Sequence, residues 1–115
     1  MKTKEVTICG KQVMLAYCFA TEIAFKNFTG ENIENFEATN PEHVIYLILS
    51  AIAAYYQKKD EEAPVKDNDL MYEAKPTELI ASLTEVMKLR AQWYEIPKGE
   101  KQDEQPSDDE ESKNA

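Results

Sequence analysis

The spacing of hydrophobic residues changes several times along the chain, and each spacing implies a different element. In KEVTICGKQVMLAY, Val6 and Ile8 stand two apart, as do Val13, Leu15 and Tyr17, with Gly10 and Lys11 between the two runs. A period of two puts side chains on one face of a strand, and glycine at the first central position suits a type II′ hairpin turn. With Gly10 and Lys11 as the turn, Cys9 pairs with Gln12, Ile8 with Val13 and Val6 with Leu15, so both strands bury the same face. Cys18 then falls opposite Thr3, far from Cys9, which argues against a disulfide between them.

From about Ala20 the period lengthens. Phe19, Ile23 and Asn27 repeat at four, Ala24, Phe25 and Phe28 occupy adjoining faces, and Gly30 supplies a left-handed helix end. The aromatics of Leu15 to Gly30, a strand end feeding this short helix, are expected to fill the joint between the hairpin and the layer that covers it. ENIENFEA, with Ile33 and Phe36, predicts one further helical turn. NPEHVIYLILSAIAAYYQKK predicts a long helix: Asn40 is its N-cap, Pro41 its first residue, and Lys58 and Lys59 meet the negative end of its dipole. Val44 to Tyr56 is apolar all round except at Ser50, the signature of an enclosed helix. Either this helix is the centre of the fold or one of its faces meets another protein, and both can hold together.

Lys59 to Asp69 is charged and broken by Pro64, so it reads as a connection, and DLMYEA as a turn of helix. Pro76 opens a last helix whose stripe of Leu79, Ile80, Leu83, Val86, Met87 and Arg90 reaches Trp93 and Tyr94, with Trp93 expected in the core and Tyr94 partly exposed. Lys98 to Ala115 has no apolar residue before Ala115 and cannot offset its ordering entropy. The expected fold is α+β and mainly α: an N-terminal two-stranded hairpin and a small helical bundle over 1–97, then a disordered acidic tail over 98–115.

Charge and composition narrow the function. A formal net charge of -9 repels a phosphate backbone, so no nucleic-acid partner is expected. The longest apolar run, Val44 to Tyr56, covers about 20 Å as a helix against roughly 30 Å of bilayer hydrocarbon, so no membrane span is expected. Lys2 and Lys4 lead into alternating residues, not the apolar run of a signal peptide, so the two cysteines are expected as free thiols in a cytoplasmic protein. Cys9, Cys18 and His43 cannot complete a tetrahedral zinc site, and glycines 10, 30 and 99 form no phosphate loop. His43, near a helix start, is read as a surface residue, and Cys18, without a neighbouring cation, as inert packing. No cofactor and no enzyme activity are expected.

The succession VTICGKQVMLAY, CFATEIAFKNFTG, NPEHVIYLILSAIAAYY and DLMYEAKPTELIASLTEVMKLRAQWYEIP resembles the small tail assembly chaperones of long-tailed bacteriophages and prophages. The likeness spans Lys4 to Pro97. It implies a protein that binds the helical tape measure protein, keeps it in solution and yields it as tail tube protein polymerises, and whose family includes short and frameshift-extended forms. No family motif fixes the binding residues. Apolar excess alone selects Tyr46, Ile48, Tyr55, Tyr56 and Tyr94, on a chain expected to form a homo-oligomer. The alternative is an acidic inhibitor or decoy that occupies a basic partner surface, with binding that weakens steeply in salt.

Overall fold

The computed structural model describes residues 1–95. The acidic segment 98–115, and residues 96 and 97 of the expected domain, lie outside the described residues. Strands β1 (Lys2–Ile8) and β2 (Lys11–Tyr17) form an antiparallel hairpin, followed by helices α1 (Phe19–Thr29), α2 (Pro41–Lys58) and α3 (Pro76–Trp93). Short helical turns at Ile33–Asn35 and Asp69–Glu73 fall where ENIENFEA and DLMYEA predict them. The α+β, mainly helical architecture is the one the hydrophobic spacing implies.

The register of the hairpin differs from the sequence expectation. Val6 pairs with Val13 and Ile8 with Lys11, so the loop is Cys9-Gly10 instead of Gly10-Lys11. Both loop residues have positive φ, 54° at Cys9 and 74° at Gly10, which makes a type I′ turn in place of type II′. A tertiary contact accompanies this choice: the Cys9 N–H donates to Glu78 Oε1 at 3.2 Å, at the start of α3. Each partner moves by two residues, an even step, so every side chain keeps its face and Ile8, Val13, Leu15 and Tyr17 are all buried.

Helix α2 occupies the centre, packed against α1, β2 and α3, and α3 also lies along both strands. Asn40 caps α2 as expected, its Oδ1 accepting from the N–H groups of Glu42 and His43. Every residue of α2 from His43 to Tyr56 is buried or half-buried. The reading of this apolar helix as the centre of the fold holds: Leu47, Ile48, Ala51 and Ile52 join the hairpin face, Phe25, Val65, Leu70, Val86 and Leu89 in one core.

His43 is not on the surface. It is 7 % exposed, its Nδ1 accepts the Glu37 N–H at 3.0 Å, and its ring stacks on Phe36 and meets Phe25 edge-on. The reason is its place on the α2 face that α1 covers. Cys9 and Cys18 are both free thiols, at opposite ends of the hairpin.

Candidate interaction surface

Helix α1 turns three large apolar side chains outward. Thr21 fixes its orientation: its Oγ1 donates to the carbonyl of Ala16 at 2.9 Å and accepts the Cys18 N–H at 3.2 Å, tying the first turn to the end of β2. Phe25, one turn further, follows Thr21 inward. Phe19 and Ile23 therefore point away, each 61 % exposed, and Phe28 is also exposed. This corrects the expectation that the aromatics of this segment fill the joint. Tyr17 and Phe25 do so, whereas Phe19 and Phe28 cover the outside.

Phe19 reaches the end of α3, its ring edge-on to Trp93 with centroids 5.5 Å apart. Tyr94 follows, with its hydroxyl donating to Glu22 Oε2 at 2.6 Å and the Arg90 guanidinium 5.2 Å from its ring centroid. The Tyr17 hydroxyl donates to the same carboxylate oxygen at 2.8 Å. Burial, and then the bond to Glu22 and its negative charge, push the Tyr17 phenol well above its ordinary value. For Tyr94 the bond to Glu22 comes first among the causes that raise it. One carboxylate thus joins β2, α1 and the end of α3.

Helix α3 extends this apolar area. Its expected single stripe divides: Val86 is buried and Leu79 and Leu83 half-buried, but Ile80 is 65 % and Met87 38 % exposed, while Leu89, outside that stripe, is buried. Ile80, Met87 and Tyr94 recur every seven residues, two helical turns, and so line one edge of α3 over about 21 Å. Phe19 meets the far end of that line at Trp93, and Ile23 is exposed one turn further along α1. Trp93 is half-buried and Tyr94 is 47 % exposed.

The five residues selected from the sequence are not brought together. Ile48 is fully buried in the core, because the α2 face that carries it turns into the domain, and it presents nothing to a partner. Tyr46 is half-buried and stacked on Phe28 at 5.1 Å. Tyr55 packs edge-on against Tyr56 and lies under Lys59 Nζ. The Tyr56 hydroxyl accepts the N–H of Met14 at 3.1 Å. Tyr94 is the one member in the exposed class and the one that joins the α1 and α3 apolar area. Sequence reasoning passed over Phe19, Ile23, Ile80 and Met87. A signal for α1 was present in Asn27, the polar third member of the Phe19, Ile23 series, which marks that series as the solvent side.

Among the described residues no group of three His, Cys, Asp or Glu side chains is placed to hold a metal ion. No helix among them is long and apolar enough to cross a membrane. No protein-family model matches the chain, and comparison with curated proteins and with solved structures finds no match either.

Proposed function

We propose that the protein is a non-catalytic binding module that shields an amphipathic helix of a partner and, by the sequence resemblance, that it is a tail assembly chaperone keeping tape measure protein in solution until tail tube protein replaces it. The observation that carries this reading is the exposed series Ile80, Met87 and Tyr94, seven residues apart, with Phe19 packed on Trp93 at its end. Side chains at that spacing along a helix edge form a seam for a second helix, and water is a poor neighbour for them. Two copies can cover each other's seams as a homo-oligomer until a client helix displaces one. The net charge of -9 keeps a loaded complex soluble in the host cytoplasm, where such clients are made.

The experiment is co-expression with a tape measure protein and with its isolated helical segments. Ile80→Ser combined with Met87→Ser should release the client into the insoluble fraction while leaving circular dichroism and thermal midpoint close to wild type, because both positions are exposed. Client binding that survives this change refutes the seam. Wild-type binding that instead disappears at moderate salt supports an acidic decoy acting on a basic surface.

A further inference from the structure

The seam on α3 is more regular than its three large side chains alone suggest. Thr77, Thr84 and Ala91 stand three residues before Ile80, Met87 and Tyr94, and all six are exposed. Together they make the alternating three- and four-residue spacing of a coiled-coil seam, with a short side chain at every first position and a long one at every second. Ser82, Val86 and Leu89 are buried on the other side of the helix, so the seam points away from the domain along about 25 Å of helix.

That order of sizes selects what covers it. In a parallel, in-register pair of α3 helices each side chain would face its own copy: Tyr94 would crowd Tyr94, and the Thr84 and Ala91 layers would be left open. Turned antiparallel about a two-fold axis between Glu85 and Val86, Thr77 faces Tyr94, Ile80 faces Ala91 and Thr84 faces Met87, each pair occurring twice. Every layer then holds one short and one long side chain, which lets the two helices interdigitate. The charges beside the axis are balanced. Glu85 and Lys88 of one copy, 3.8 Å apart, meet the same pair in reverse order, and at each end Lys75 of one copy comes level with Glu95 of the other. The positive start of each helix also lies against the negative end of its neighbour. Two faces about 25 Å long and about 10 Å wide cover less than the roughly 1,200 Å² of a standard stable interface. Such a pair forms reversibly, as a surface that must later admit a client requires.

We infer that a second copy of this chain occupies the seam in the free protein, with the two α3 helices antiparallel and centred between Glu85 and Val86. The inference rests on the seam being an interaction surface, and gives it a resting partner and a register. Single cysteines in the full chain, with Cys9→Ser and Cys18→Ser in place, test it. Ile80→Cys and Ala91→Cys proteins should each cross-link poorly with themselves under oxidation, because like positions lie about 16 Å apart along the axis, and should link readily when mixed. Thr84→Phe adds apolar surface, yet should weaken dimerisation about tenfold or more by sedimentation equilibrium, because it stands opposite Met87. Adding Met87→Ala to the same chain should restore the dimer by exchanging the two sizes. Self-linking of either cysteine variant, a protein that stays monomeric at millimolar concentration, or tighter association of Thr84→Phe would each overturn the pairing. Co-expression with the client reads the other role separately: a monomer that still solubilises the client removes only the pairing, and a dimer of this pattern that binds no client removes only the shielding.

Discussion

Tyr56 offers a direct test of how this fold closes its sheet. Its hydroxyl is the partner of the Met14 N–H on the outer edge of β2, in a part-buried position 42 residues away in sequence. Tyr56→Phe removes that oxygen and keeps the ring, so the edge-on packing with Tyr55 at 4.9 Å remains. A buried donor left without a partner costs about 1–3 kcal/mol, and partial burial places this site in the lower half, roughly 1–2 kcal/mol. For a domain of this size each kcal/mol lowers the midpoint by about 4–8 °C, which gives a fall of roughly 4–16 °C. Thermal unfolding by circular dichroism reads the total, and hydrogen exchange at Met14 reads the site, where protection should drop toward that of solvent-facing edge amides. An unchanged midpoint together with unchanged Met14 protection would refute the bond, and would return Tyr56 to the surface role that its sequence context suggests.

Three further outcomes follow from the same geometry. Because the Tyr17 phenol is raised in the folded state, its contribution is complete below the unfolded value near pH 10 and is lost as pH climbs beyond it; in Tyr17→Phe the alkaline fall in stability above about pH 10 should flatten. Glu78 is held below its ordinary value, first by the Lys75 N–H and then by the Cys9 N–H, so its contribution is present above that ordinary value and disappears as pH falls through the lowered one; Glu78→Gln should weaken the acid dependence of the midpoint. Gly10 has φ of 74° and nothing within 4 Å of an added Cβ, so Gly10→Ala should cost about 1–2 kcal/mol through backbone conformation alone, measured by urea unfolding.

The parts of this structure that were legible in the sequence are those decided within a few residues. Asn40-Pro41 starts α2, Gly30 with φ of 79° ends α1, and the alternation through Val13, Leu15 and Tyr17 marks the buried face of the hairpin. Contacts that join distant segments were not legible. Nothing near Cys9 announces that Glu78 holds its N–H, and so the loop appeared one residue too late in the chain. The candidate surface failed for a related reason. Apolar density singled out α2, but the hairpin, α1 and α3 together cover that helix, and the side chains left outside are those on flanking helices whose local hydrophobicity is unremarkable. His43 looked polar and terminal, yet the Phe25 and Phe36 rings and the Glu37 amide surround it.

The partners that complete the hairpin reach it from increasing distances along the chain: Thr21 lies five residues from Ala16, Tyr56 42 from Met14, and Glu78 69 from Cys9. A two-stranded hairpin alone is marginal in water. At about 5–20 residues per second, a ribosome takes roughly 3–14 s to add the 69 residues that separate the turn from its last tether. The hairpin is therefore made well before its turn is fully fastened, and in that interval the edge of β2 at Met14 still waits for Tyr56 and is open to any strand nearby. Lys2 and Lys4 put charge on β1, and charges on an edge strand discourage pairing with such strands.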